Sequence, residues 1–292
     1  MTINVVRHFL LVTTLLMFCV SLTAAGGTVC VPPPAGDWLT LGWGRSLRAD
    51  LDEVAGTVTV PESAIGLAAG SESGFAWGLQ HHYRSFEVEQ ADAPSLDSNG
   101  DLHQLGLPLQ WQGGDWRFAA APGLSVSSNA LRHPGRIDRD SWQLWTAAVY
   151  SRAGWRLGLC ADNRFGHFRA YPTLGYEWET EGAWLLRLVF PDPLIRYRYN
   201  QAWNLELFAR PYGGDWRVFD EDLRRRSRWR YQSWRGGLRL RWRRGDWGLD
   251  LALGRESGRE ISALRRDGIK VSFEPASATF VAFELQWRFG LN

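Results

Sequence analysis

The chain has a single lysine, Lys270, among 33 basic residues, only two methionines and only three cysteines. It also lacks a charge surplus, since 33 basic residues face 31 acidic ones and leave a net charge of +2. A dedicated nucleic-acid binder shows a basic excess that is missing here. Long apolar runs are scarce as well. Beyond residue 25 nothing approaches the roughly 20 apolar residues a membrane helix needs, which excludes a polytopic helical membrane protein. No GxSxG, HExxH, Walker or CxxC motif occurs, so no metal and no cofactor is expected. Disorder is excluded too, because 45% of the residues are hydrophobic and the net charge is small.

What the chain has in excess is tryptophan, 17 residues of it. Before that pattern begins, residues 1–25 read as a cleaved secretory signal. Arg7 lies in a short first segment, Phe9 to Leu22 is almost wholly apolar, and Thr23-Ala24-Ala25 offers small residues for cleavage. Removing this segment takes away only Arg7 among charged side chains and leaves a net charge of +1. Two cysteines then remain, Cys30 and Cys160. Export permits a bridge between them, but the reading favours two separate small residues.

From about Phe75 onward the chain alternates with period 2, the mark of strands with two unlike faces. Leu105, Leu107, Leu109 and Trp111 alternate with Gln104, Gly106, Gln110 and Gln112. Leu238, Leu240 and Trp242 alternate with Arg239, Arg241 and Arg243. Turn signals recur between such runs: Gly113-Gly114-Asp115-Trp116, Gly213-Gly214-Asp215-Trp216 and Gly245-Asp246-Trp247, with looser versions before Trp155 and Trp184. From Trp155 the spacing is 29, 32 and 31 residues, which makes one unit of two strands, a tight turn and a longer loop. The longer loops, near Gln90–Asp101, Ser128–Arg139 and Glu256–Pro275, are polar and fall at the opposite strand ends.

Short turns on one rim and long polar loops on the other describe an antiparallel transmembrane β-barrel of the outer-membrane type. The reading gives about 12 strands over residues 75–292, with 10 to 14 allowed. Residues 26–74 are a periplasmic segment, a plug or two extra strands. The tryptophans at the turns, Trp116, Trp155, Trp184, Trp216 and Trp247, together with Trp287 on the last strand, are expected in an interfacial belt. The polar face assigns His82, Arg156, Glu177, Arg187, Glu206, Arg239, Arg241, Asp250, Glu284 and Arg288 to the lumen. The run Arg224, Arg225, Arg226 and Arg228 is placed in an outer loop, where arginine forks suit lipopolysaccharide phosphates.

The last strand, Phe283-x-Leu285-x-Trp287-x-Phe289, resembles the C-terminal signal of bacterial outer-membrane proteins. That resemblance implies the barrel assembly machinery as a partner during biogenesis. Asn163-Arg164-Phe165-Gly166, Tyr171-Pro172-Thr173-Leu174-Gly175-Tyr176 and Phe190-Pro191-Asp192-Pro193 resemble an uncharacterised family of exported bacterial β-barrels, a domain of unknown function. The resemblance implies fold and location, the outer membrane, and no chemistry.

Three functions fit. The first is a narrow polar channel or structural barrel. The second is a lipid-modifying hydrolase of the outer membrane, for which outward-facing His81 and His103 near a rim serine are the candidates. The third is a secreted β-sandwich that binds carbohydrate through exposed tryptophan.

Overall fold

A computed structural model describes residues 37–52, 55–70, 74–90, 101–180, 182–220, 225–265 and 270–289. Residues 1–25, and with them the expected signal peptide, lie outside the described residues. The strands, in chain order, are β1 (Trp38–Asp50), β2 (Gly56–Gly70), β3 (Phe75–Arg84), β4 (Glu87–Gln90), β5 (Leu102–Gly106), β6 (Leu109–Gly113), β7 (Trp116–Ser127), β8 (Trp142–Arg152) and β9 (Trp155–Asp162). They continue as β10 (Arg169–Glu179), β11 (Trp184–Phe190), β12 (Leu194–Arg198), β13 (Trp203–Asp220), β14 (Arg225–Arg244), β15 (Trp247–Arg265), β16 (Lys270–Phe273) and β17 (Ala278–Arg288).

All seventeen segments belong to one sheet. Three pairs of segments are single strands broken by a kink. β3 and β4 both pair with β2, β5 and β6 both pair with β3 and β7, and β16 and β17 both pair with β15. Pro108, which has no N–H to give the ladder, sits at one of the breaks. The described residues therefore make fourteen antiparallel strands. The first and last close the barrel, from Trp38 opposite Arg288 to Ser46 opposite Phe280. A single closed sheet with its apolar face outside is not a β-sandwich.

Fourteen corrects the expected twelve, for three reasons. Residues 38–50 and 56–70 are barrel strands; their inward positions carry Gly42, Gly44 and Ser46, so the polar–apolar alternation is faint. Leu194–Arg198 is a strand of its own. Finally, Gly213-Gly214-Asp215-Trp216 is no turn but lies within β13. Gly114, Gly154 and Gly245 have the positive φ a hairpin needs, whereas Gly213 and Gly214 do not. At Gly213 the missing Cβ instead leaves room for the carbonyl of Arg164, which would stand 2.7 Å from it.

The wall is uneven. β13, β14 and β15 have 18, 20 and 19 residues, while β11 and β12 have seven and five. Above the short strands, β13 meets β7 directly: Arg217 pairs with Val126 in the parallel sense, and Phe219 N–H donates to Ser127 Oγ at 3.1 Å. The barrel thus narrows toward its long-loop end. A helical turn, α1 (Ser128–Arg132), begins there with Ser127 as its N-cap.

That narrowed half has a core. Val58, Val60, Phe86, Leu102, Trp216, Val218, Trp229 and Tyr231 point inward and pack together with almost no exposure. The outer wall is the reverse. Phe75, Trp77, Leu79, Leu109, Leu157, Leu188, Leu205 and Leu251 all face out and are exposed. Trp116, Trp155, Trp184, Trp247 and Trp287 ring the short-turn end. Trp216 does not belong to that ring: it is 2% exposed, against 54% for Trp155.

Candidate functional site

Alternation along each strand turns charged side chains into the wider, short-turn half of the lumen, and cross-strand register then pairs them. Glu206 is fully buried and receives Arg196 at 2.7 Å, Arg241 at 3.0 Å and Arg239 at 3.2 Å. Asp250 holds Arg243 at 2.6 Å and Arg241 at 3.0 Å. Glu177 takes Arg187 at 2.6 Å and Arg156 at 2.9 Å. Glu284 is buried opposite Asp250 in the ladder and bonds Gln286. His82 shares the inward face with buried Arg84. Arg288 ends the same series as an exposed side chain at the short-turn rim.

Between this layer and the apolar core lies a second charged layer that the sequence reading missed. Arg235 bonds Glu62, Ser46 at 3.1 Å and Glu256 at 3.1 Å. Glu256 also accepts from Tyr231 Oη at 2.5 Å and Ser233 Oγ at 2.6 Å. The Arg84 guanidinium stands 4.4 Å above the Tyr212 ring. Arg235 has the parity of Arg239, Arg241 and Arg243, and that was the available signal.

From Arg225 onward the basic run is strand rather than loop. Arg225–Arg230 begins β14, and Arg226 and Arg228 are engaged by Asp138 at 3.2 Å and Asp215 at 2.7 Å. Arg224 lies outside the described residues, as does the side chain of Arg225. The expected loop at Glu256–Pro275 is also mostly strand, since β15 runs to Arg265 and β16 starts at Lys270. Cys160 is buried and disulfide-bonded, which corrects the expectation of separate cysteines; Cys19 and Cys30 lie outside the described residues.

The β9–β10 loop is tucked in rather than solvated. Arg164 bonds Asp162 at 2.9 Å and both oxygens of Asp192 at 3.0 and 2.8 Å, and Tyr171 Oη donates to Asp162 at 2.6 Å. Three separate sequence motifs thus meet in one buried ion network. Beside them, burial first and then Arg169 and Arg230 lower the pKa of His167.

On the outer wall near the long-loop rim, β3, β5 and α1 bring three polar side chains into a row. His81 Nε2 lies 2.9 Å from His103 Nδ1, and His103 Nε2 lies 2.8 Å from Ser128 Oγ. The two imidazoles stack with centroids 5.2 Å apart. Tyr83 leans on His103 and donates to Asp101 at 2.6 Å. All three members of the row are half-buried. His81 and His103 were expected near a rim serine; Ser128 itself is distant in sequence and was not foreseen.

A closed antiparallel sheet, apolar outside and charged inside, with an aromatic ring at one rim, defines an integral β-barrel of the outer-membrane type. Residues 147–291 match a domain of unknown function, DUF6268. No curated protein matches the chain. Among solved structures it is similar to the COG4313 outer membrane channel from Pseudomonas putida F1, at 10% identity and a TM-score of 0.46 over 91% of this chain and 100% of that one. It is also similar to the TodX monoaromatic hydrocarbon channel deltaS2 mutant, at 10% identity and a TM-score of 0.41 over 88% and 91% of the two chains. A third similarity is to the KdgM porin, at 8% identity and a TM-score of 0.37 over 86% and 99%.

Proposed function

We propose that this outer-membrane barrel is closed to axial flow in the conformation described, with a narrow arginine-rich vestibule facing the short-turn, periplasmic side. The carrying observation is the apolar core in the long-loop half. Trp216, Tyr231, Phe86 and Leu102 fill the axis there from facing strands, each 2% exposed or less. Above the membrane such a core replaces a water path by close packing. Below it, Arg117, Arg156, Arg187, Arg196, Arg239 and Arg241 outnumber their carboxylate partners, so a passage made through the core would favour anions.

Planar-bilayer recording tests this. The wild-type barrel is expected to show no steady conductance. A variant lacking residues 215–230, the outer part of the β13–β14 hairpin, is expected to conduct with anion preference. Regular single-channel steps from wild type would overturn the reading.

The expected partners keep their places in it. The final strand serves recognition by the barrel assembly machinery, and the apolar wall serves contact with lipid. Contact between lipopolysaccharide phosphates and Arg226 or Arg228 would have to displace Asp138 or Asp215, and its signature is loss of bound lipopolysaccharide in a double alanine variant.

A further inference from the structure

We propose that Ser128, His103 and His81 form an esterase site on the outer wall of the barrel, acting on acyl esters of membrane lipids. The site is separate from the lumen, so it stands or falls apart from the question of conduction.

The geometry is that of an activated nucleophile. In the tautomer that leaves Nε2 of His103 unprotonated, the Ser128 hydroxyl donates to it across 2.8 Å. The same tautomer carries its proton on Nδ1, which donates to Nε2 of His81 across 2.9 Å. Nucleophile, base and orienting group are thus linked in series, the arrangement that raises the reactivity of a serine hydroxyl. Tyr83, held by Asp101, packs against the His103 ring and limits its rotation.

The surroundings select the substrate. His81 follows outward-facing Phe75, Trp77 and Leu79 on β3, and stands opposite exposed Ile65 on β2. Acyl chains lying on this wall would bring their ester groups to the boundary of the apolar belt, where the row of polar side chains begins. Three polar groups in series are costly at such a boundary unless they serve a purpose or bond one another, and these bond in the order that chemistry requires.

The reaction balances without a cofactor. Ser128 Oγ attacks the ester carbonyl carbon as its proton passes to His103 Nε2. The tetrahedral species collapses, the ester C–O bond breaks, and the leaving alcohol takes that proton from His103. Water, deprotonated by His103, then cleaves the acyl-serine and releases a fatty acid and the free hydroxyl. Ser128 and His103 are catalytic residues; His81 is a positioning residue that fixes the His103 tautomer.

The test uses the full chain folded into vesicles of phosphatidylethanolamine and phosphatidylglycerol, with and without lipopolysaccharide, and measures free fatty acid. Release from plain vesicles would identify glycerophospholipid as the source of the ester, and release only with lipopolysaccharide would identify that lipid. In either case Ser128→Ala and His103→Ala are expected to be at least 100-fold slower, while keeping the heat-dependent gel shift of the folded barrel. His81→Leu is expected to lower kcat about tenfold or more with KM unchanged, and His81→Gln, which restores an acceptor, to recover part of the loss. Independently of any variant, a serine-reactive organophosphonate is expected to label wild type at Ser128. Folded wild type that neither releases fatty acid from either vesicle nor takes the label would overturn the proposal. So would a Ser128→Ala protein as active as wild type.

Discussion

Phe219 N–H reaches Ser127 Oγ at 3.1 Å, and this bond joins β13 to β7 over the ends of the five strands that separate them in sequence. It marks the level at which the barrel narrows and its axis fills with apolar side chains.

That core should carry much of the stability. Trp216→Ala removes a large side chain that is 2% exposed and leaves a cavity, at a cost of about 3–5 kcal/mol. Trp116→Ala, on the exposed ring, should cost about 1 kcal/mol or less because its cavity is open to lipid. Gel-shift melting, with samples held at rising temperature before unboiled electrophoresis, should show Trp216→Ala losing its folded band well before Trp116→Ala.

The Arg235 layer makes a different prediction. Arg235→Ala takes from Glu256 its bonded guanidinium and leaves Glu62 only the longer pair with Arg84 at 3.7 Å, and it should destabilise the barrel by about 3–5 kcal/mol. Replacing all three, as Arg235→Met with Glu62→Gln and Glu256→Gln, should recover only part of that loss, because buried Arg84 then loses its ion pair with Glu62. Urea unfolding in lipid vesicles checks both, and an Arg235→Ala variant as stable as wild type would contradict the pairing.

Gly213 and Gly114 occur in the same four-residue motif but should respond oppositely to β-branched replacement. Gly213→Val drives Cβ against the Tyr231 carbonyl of the paired strand β14 and against the Arg164 carbonyl of the β9–β10 loop. It should loosen that loop and speed proteolysis near Arg164. Gly114→Val strains a positive-φ turn by about 1–2 kcal/mol and should leave that loop intact.

Orientation is also testable. Gly135→Cys, on the long-loop side, should react with a membrane-impermeant maleimide in intact cells. Asp246→Cys, at a short turn, should react only after the outer membrane is permeabilised.

Alternation made most of the barrel legible. Leu238, Leu240 and Trp242 against Arg239, Arg241 and Arg243 define both faces of β14 without ambiguity. It failed where both faces are covered or both are wet. In β13 the residues around Trp216 are buried on each side, by the core and by the Arg164 loop, so hydropathy shows no period there. In β14 the arginines from Arg226 to Arg230 face the carboxylates of other elements, and a run of charge looked like a loop. The lumen charges were readable one strand at a time, but their pairing needed register. The same limit hid Ser128, which reaches His103 only because α1 starts where β7 ends.

The short strands β11 and β12 have a consequence for the lipid around them. On β11 the outward apolar positions run from Trp184 to Phe190, roughly 20 Å along the strand at about 3.3 Å per residue. Tilt reduces the height they span further, below the roughly 25 Å of a usual barrel belt. A bilayer accommodates a short wall by thinning beside it or by letting the protein lean. The barrel therefore presents one sector of hydrophobic mismatch, where neighbouring acyl chains are compressed and the two leaflets come closest together.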